Sequence, residues 1–169
     1  MVKEMNCIEK MLTRKSIRKY KKEHVSESVL NNILEAGRRS PSAVNTQPWH
    51  FVVIRDQEAK KACSFGGYNE FTSEADFIVV GLYKPSEVIM ERLTLMDVTI
   101  ALQNMVTAAW LQGVGCCWIG AWNDTKLRDT LNLPADSKIV GLVTFGIPDE
   151  DPVQQPKKSL NEIVHLDKW

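Results

Sequence analysis

A cluster of cations lies near the start of the chain, in the sequence Arg14-Lys15-Ser16-Ile17-Arg18. Arginine presents a planar set of N–H donors that matches phosphate oxygens, and a serine hydroxyl adds a neutral donor. A turn that carries these side chains can therefore bind a phosphate group, with about 1.5–3 kcal/mol from each charge-assisted contact. The alternative interpretation is a basic loop that faces solvent, because isolated clusters of surface charge are common.

A second polar segment, residues 41–49, combines small side chains with amides in the sequence Pro-Ser-Ala-Val-Asn-Thr-Gln-Pro-Trp. Its two prolines indicate a loop, and its hydroxyl and amide groups could contact the polar edge of a ligand. The same composition also suits a plain connection between a helix and a strand. By itself, the segment does not decide between these two roles.

The pattern of apolar residues predicts the elements that must position these two segments. A helix over 5–12 precedes the cations, and Ser26 is the predicted N-cap of a second helix. Further helices are predicted over 57–62, 86–112 and 124–131, and strands over 49–54, 76–83, 116–119 and 138–147. We expect an interruption near the start of the helix over 86–112 and a cap at Asp124. From Val98 to Leu111 that helix is apolar on nearly every side, which is typical of burial in a core or an interface.

The mixture of elements predicts one α/β domain over residues 1–169, built as a three-layer αβα sandwich around a mixed or antiparallel sheet. A chain of 169 residues is about one domain long, and a hydrophobic content of 44% is typical of a globular protein. The tail over 149–169 differs, because it carries Pro152 and Pro156 before an apolar finish. A compact monomer gains little from ordering such an arm, so we expect it to pack on a partner subunit.

Charge and composition argue against several classes of function. Lys and Arg total 21, as do Asp and Glu, and this balance does not favour a nucleic-acid binder. Lys3 and Glu4 interrupt any signal-peptide core, and no apolar run reaches the roughly 18 residues of a membrane span. The three histidines are scattered, so no metal site is predicted. We therefore expect a cytoplasmic protein with reduced cysteines, no nucleic acid and no membrane.

Taken in order, the motifs resemble those of the FMN-dependent nitroreductase family. Arg-x-Ser-x-Arg at 14–18 is followed by Ser-Pro-Ser-Ala-x-Asn-x-Gln-Pro-Trp at 40–49 and by an apolar strand. The resemblance continues through Asp97-x-x-x-Ala-x-x-Asn104, Gly113-Val-Gly-x-x-Trp-Ile-Gly120, Phe145-Gly-Ile-Pro148 and Lys157-Lys158. It spans about residues 13–160.

The resemblance implies a homodimer that binds FMN between its subunits. It places Arg14, Ser16 and one of Lys157 or Lys158 at the FMN phosphate, with Lys15 in the same cationic turn. Arg18 would lie near the ribityl chain and the pyrimidine edge, where a cation balances the charge of reduced flavin. The residues implied to come from the other subunit are Pro41, Ser42, Ala43, Asn45 and Gln47. Those implied to pack beside the isoalloxazine ring are Trp118, Ile119 and Gly120, the last with its backbone N–H close to N5.

The activity implied by the resemblance is a ping-pong transfer of hydride from NAD(P)H, through flavin N5, to a nitroaromatic, quinone or similar acceptor. No essential side-chain acid or base is expected. The chain has no G-x-G-x-x-G or Walker A motif, so the nicotinamide is expected to be a passing substrate. Alternatives on the same fold are a dehalogenase, a flavin-degrading enzyme or a flavin-binding protein without turnover. The chain is short for the family, and only Phe65–Phe71 and residues near Trp122 remain to cover the site.

Two other motifs favour simpler interpretations. The vicinal pair Cys116-Cys117 could be a redox pair, but in a buried strand a packing role is favoured because buried thiols are inert. Ser16 and Lys19 fit the S-x-x-K motif of penicillin-binding enzymes, whose companion motifs the chain lacks.

Overall fold

The structure of the protein is a computed structural model that describes residues 5–169. Residues 1–4, including Lys3 and Glu4, lie outside the described part. The helices are α1 (Cys7–Leu12), α2 (Glu27–Arg38), α3 (Gln57–Ala62), α4 (Glu91–Leu111), α5 (Asp124–Leu131) and α6 (Leu160–Ile163). The strands are β1 (His50–Ile54), β2 (Phe77–Tyr83), β3 (Gly115–Ile119) and β4 (Lys138–Gly146).

The four strands form one antiparallel sheet in the order β1-β2-β4-β3. All seven residues of β2 are buried, which explains why its sequence is apolar without alternation. Phe77 and Val79 belong to the core cluster that includes α2 and α4, whereas Ile78 and Val80 belong to the cluster that includes α3 and α5. The predicted three-layer sandwich is confirmed, with the sheet in its antiparallel form.

Helix α2 packs closely on α4, and a glycine makes this approach possible. A Cβ atom at Gly37 would lie 2.1 Å from the Cε of Met105, so the methionine occupies the space that a side chain would need. On the sheet side, the Phe77 and Phe145 rings stack with their centroids 4.9 Å apart. Helix α4 itself packs between α2 and strands β2 and β4, and from there it supports the loop over residues 40–47.

Two predicted boundaries need correction. The cap of α5 is Asn123 rather than Asp124, because the Asn123 side chain accepts a hydrogen bond from the N–H of Lys126 at 3.0 Å. Asp124 instead lies in the first turn and pairs with Arg128 at 2.6 Å. The long helix begins at Glu91, after a separate 3₁₀ turn over Pro85–Glu87. The predicted interruption is therefore confirmed, and the predicted start at residue 86 is wrong.

Gly115 allows β3 to pass directly against Ile17, the buried residue of the cationic turn. A Cβ atom at Gly115 would lie 2.9 Å from the Cγ1 of Ile17. We expect Gly115→Ala to lower the free energy of unfolding by about 1–3 kcal/mol, because the well-packed site has no room for a methyl group. Urea titration of the protein without cofactor measures this change. Gly120→Ala is the control, since its methyl group would meet nothing within 4 Å; equal losses in both variants would contradict the packing explanation.

Within residues 5–169, no helix combines the length and the apolar character that crossing a bilayer would demand.

Candidate functional site

The cationic turn, residues 14–18, lies between α1 and α2 and is fastened to the edge strand β3. The N–H of Ile17 donates to the carbonyl of Cys116 at 3.0 Å, and Ser16 forms a parallel bridge with the same residue. Ile17 is only 1% exposed and anchors the turn in the core. The neighbouring polar side chains are therefore held at the surface of the sheet.

These side chains line a first cavity of about 200 Å³, which we call the cationic cavity. Its lining residues are Arg14, Lys15, Ser16, Arg18, Pro152, Val153, Gln154, Gln155 and Lys157. The structure thus brings together the early cations and a cation of the tail, about 140 residues later in the chain. Lys157 lines this cavity and Lys158 does not.

A second cavity of about 280 Å³, the aromatic cavity, adjoins the first. Its lining residues are Arg18, Tyr68, Asn69, Phe71, Cys117, Trp118, Ile119, Gly120 and Ala121. Arg18 lines both cavities, and its guanidinium group lies close enough to the thiol of Cys117, another lining residue of the aromatic cavity, to affect its pKa. Together the two cavities can accommodate a molecule with an anionic end and a flat aromatic ring.

Acidic residues of the tail fasten it to the cationic turn. Asp151 forms an ion pair with Lys15, so the charge of this lysine is already compensated within the chain. The Glu150 carboxylate instead accepts hydrogen bonds from two backbone N–H groups, those of Arg18 and Lys19. Among residues 5–169, neither Arg14 nor Arg18 forms an ion pair. Their positive charge is therefore available to a ligand.

The loop over residues 41–47 lies apart from both cavities of its own chain. The predicted ligand residues that line neither cavity are Pro41, Ser42, Ala43, Asn45 and Gln47. Helix α4 holds this loop, because the N–H of Ala43 donates to the Asp97 carboxylate at 3.2 Å and Asn104 donates to the Ser40 hydroxyl at 2.7 Å. The polar positions of α4 that carry the family resemblance thus support the loop.

The backbone of this loop is strained at an exposed residue. Val44 has a φ of 44°, a left-handed conformation that is unfavourable for a β-branched side chain, and it is 89% exposed. Such strain costs roughly 1–3 kcal/mol and persists where the surroundings or a function require it.

The sequence predicted a cover over Phe65–Phe71 but not which of its residues line the aromatic cavity, namely Tyr68, Asn69 and Phe71. Asn69 is 6% exposed, accepts from the N–H of Phe65 at 2.6 Å and donates to the carbonyl of Ala121 at 2.9 Å. It ties the loop over 65–71 to the backbone just after Gly120. The sequence did carry a signal, the pair Gly66-Gly67 followed directly by Tyr68 and Asn69, and both glycines adopt a positive φ in the structure.

Three of the cysteines, Cys63, Cys116 and Cys117, are buried, and Cys117 lines the aromatic cavity. Burial raises the pKa of Cys116 to about 11 and that of Cys63 to about 12. Burial also raises the pKa of Cys117, although the nearby Arg18 guanidinium acts in the opposite direction. These thiols therefore stay protonated at neutral pH, in agreement with a packing role for the Cys116-Cys117 pair.

This protonation predicts the result of a thiol titration. In the native protein at pH 8, a soluble disulfide reagent should modify at most the exposed Cys7, whereas all four cysteines should react after denaturation. Rapid native modification of Cys116 or Cys117, located by mass spectrometry, would reverse this assignment.

Comparison with known proteins decides the family. The sequence model of the nitroreductase family matches residues 11–64 and 62–147. This chain belongs to the nitroreductase family. The resemblance seen in the motifs is thereby confirmed, and the match includes both the cationic turn and β3.

Relatives extend the comparison over nearly the whole chain. A protein of Archaeoglobus fulgidus, provisionally named NADH dehydrogenase/NAD(P)H nitroreductase, is 32% identical over 96% of this chain and 98% of its own length. The NADPH-flavin oxidoreductase of Vibrio harveyi is 27% identical over 97% of this chain and 75% of its own. A provisionally named nitroreductase from Desulfovibrio desulfuricans, solved in complex with FMN, superposes with a TM-score of 0.87 at 27% identity, covering 98% of this chain and 99% of that one.

Proposed function

We propose that this protein is an FMN-dependent oxidoreductase that takes hydride from NAD(P)H and passes it to a nitroaromatic, quinone or similar oxidised acceptor. The observation that carries this proposal is the single arginine, Arg18, at the meeting point of a cationic and an aromatic cavity. FMN has a phosphate at one end and a flat ring at the other, and when bound it supplies hydride chemistry at N5. The FMN-bound and flavin-reducing relatives support the same cofactor.

The cationic cavity fits the FMN phosphate by charge and by donor type. Arg14 offers a planar fork, Ser16 a hydroxyl donor and Lys157 a point charge from the tail. Lys15 contributes less, because Asp151 already compensates its charge.

The aromatic cavity fits the isoalloxazine ring. Trp118 and Ile119 flank it from β3, and the exposed Gly120 follows directly, with its backbone N–H free of a side chain that would block approach to N5. Arg18 would face the pyrimidine edge, where its charge balances the anion of the reduced ring.

A second subunit completes each site in this proposal. The loop over 41–47 lines neither cavity of its own chain, so it would contact the flavin of the partner.

The surface of the chain supports a dimer, since its 10800 Å² exceeds the roughly 8,400 Å² that size scaling gives a compact monomer of 19.2 kDa. Every residue from 153 to 169 is exposed, and this arm would pack on the partner. Obligate dimers bury upwards of about 2,000 Å².

A ping-pong order follows from an open site without a nucleotide-binding loop. The donor and the acceptor would occupy the aromatic cavity in turn, next to Tyr68 and Phe71. Tyr68 is 88% exposed, so the covering loop leaves room for flat acceptors of different shapes. The residues of the chain orient the ring and supply charge, while solvent reaches the site to exchange protons.

The test is anaerobic mixing of the purified yellow protein with NADPH and, separately, with NADH. Rapid bleaching of the flavin absorbance, followed by recovery on addition of a nitroaromatic or a quinone, is the expected result. Parallel lines in double-reciprocal plots would support the ping-pong order. If neither nucleotide bleaches the flavin, the protein binds flavin without turnover and the proposed enzyme is refuted.

A matched pair of lysines tests the role of the tail. We expect Lys157→Ala to raise the FMN dissociation constant by roughly fivefold, since an exposed charge contributes about 1 kcal/mol or less. Lys158→Ala removes the same charge from the next residue, which lies outside the cationic cavity, and should leave the constant within about twofold. Fluorescence titration measures both; equal effects would show that only the net charge matters.

A further inference from the structure

We propose that Glu150 is a positioning residue, whose carboxylate fixes the backbone of Arg18 so that the guanidinium group reaches the junction of the two cavities. This inference rests on the proposed function for the identity of the ligand. It assigns a role to an acidic residue in a site that otherwise selects an anion.

The contact is specific in its geometry. One oxygen, Oε1 of Glu150, accepts from the N–H of Arg18 at 2.5 Å and from the N–H of Lys19 at 3.1 Å. Two backbone hydrogen bonds bring the segments together, from Lys21 N–H to the Ile147 carbonyl and from Asp149 N–H to the Lys19 carbonyl. This short ladder ends at Lys19, so the carboxylate extends the attachment by one more residue, to Arg18.

Arg18 therefore lies between two anchored neighbours. On one side Ile17 is buried and bonded to β3, and on the other Lys19 is bonded to the tail. Because its backbone is already fixed, Arg18 loses only side-chain entropy when it binds a ligand, and the entropic cost of binding is smaller.

The two neighbouring acids act in different ways on the cationic turn. Asp151 pairs with the side chain of Lys15 and so compensates a positive charge. Glu150 bonds to backbone N–H groups, and among the residues that the structure describes it forms no ion pair with Arg18. Glu150 thus orders the arginine while the guanidinium group stays available for the flavin.

Three substitutions distinguish the effect of the length of the Glu150 side chain from the effect of its charge. Glu150→Gln keeps an oxygen acceptor at the same distance without the charge, and Glu150→Asp keeps the charge on a shorter side chain. Glu150→Ala removes both. Asp149→Ala is the matched control, because Asp149 contacts the turn through its backbone N–H rather than through its side chain.

Two measurements on the folded protein test the effect. In amide hydrogen exchange without cofactor, Arg18 and Lys19 should lose protection in Glu150→Asp and Glu150→Ala and keep most of it in Glu150→Gln. In FMN titration, Glu150→Ala and Glu150→Asp should bind roughly tenfold more weakly, and Glu150→Gln and Asp149→Ala within about twofold of the parent.

The outcomes that overturn the proposal are distinct from failure of the proposed function. If Glu150→Gln weakens FMN binding as much as Glu150→Ala, the charge matters and positioning is refuted. If Glu150→Ala leaves exchange and affinity unchanged, the contact has no role. If the parent protein binds no FMN, the proposed function fails, while the exchange of Arg18 and Lys19 still decides whether Glu150 fixes the turn. Should Glu150→Ala not fold, the comparison of Glu150→Gln with Glu150→Asp gives the same decision.

Discussion

Replacing Arg14 with alanine is expected to raise the FMN dissociation constant by about 10- to 150-fold, the equivalent of one charge-assisted contact. Arg14 is half-buried beside Ser16 in the cationic cavity, and within the described residues no carboxylate competes for its charge. Its loss should exceed that of Lys157, which is exposed and offers no planar fork. Fluorescence titration of the apoprotein, and loss of the yellow colour on dialysis, measure the effect.

Comparison with riboflavin, which lacks the phosphate, makes this test specific. Arg14→Ala should weaken FMN binding strongly and riboflavin binding by about twofold or less, so the preference for FMN should shrink. Arg14→Lys should recover part of the affinity, because lysine keeps the charge without the fork. Arg55→Ala is the control, since this exposed arginine pairs with Glu27 and lines neither cavity. If Arg14→Ala keeps its flavin through dialysis, the phosphate assignment is wrong.

The parts of the fold that local physics decides could be predicted from the sequence. The apolar residues of β2 predicted a strand, and Ser26 predicted the start of α2. The cap of α5 was misplaced by one residue because Asn123 and Asp124 are nearly equivalent as caps. Only the structure shows that the side chain of Asn123, and not that of Asp124, accepts the hydrogen bond from the N–H of Lys126.

The site was predictable where its residues are consecutive and less so where they are distant. The cations at 14–18 adjoin one another in sequence, so their shared role is readable. The choice of Lys157 over Lys158 depends on how an irregular tail lies against that turn, and no periodicity fixes this. Glu150 is 132 residues from Arg18 in the sequence. The two residues meet because backbone hydrogen bonds join residues 19–21 to residues 147–149, directly before Glu150.

The separation of the 41–47 loop from its own cavities was likewise beyond residue patterns alone. The family resemblance implied that these residues serve the other subunit. The structure adds that the loop is strained, exposed and held by Asp97 of the same helix, α4, that carries exposed apolar side chains. We propose that these apolar side chains pack on the partner subunit, so that α4 connects the dimer interface with the flavin site.

A double substitution on α4 is therefore expected to remove both the dimer and the flavin. Met96 and Ile100 lie four residues apart on α4 and are 54% and 37% exposed in the single chain. In the proposed dimer they are buried, and each glutamate placed there would cost several kcal/mol without a partner. We expect Met96→Glu/Ile100→Glu to raise the dimer dissociation constant by roughly a thousandfold or more.

Sedimentation velocity, circular dichroism and flavin content together decide the outcome. The double variant should sediment as a folded monomer and retain little FMN, because the loop over 41–47 then has no partner site to complete. Thr130→Glu adds the same charge to an exposed position on α5 and should leave the dimer and its flavin intact. A folded monomer that holds FMN as tightly as the parent would show that each chain builds its site alone, and it would remove the structural reason for the strain at Val44.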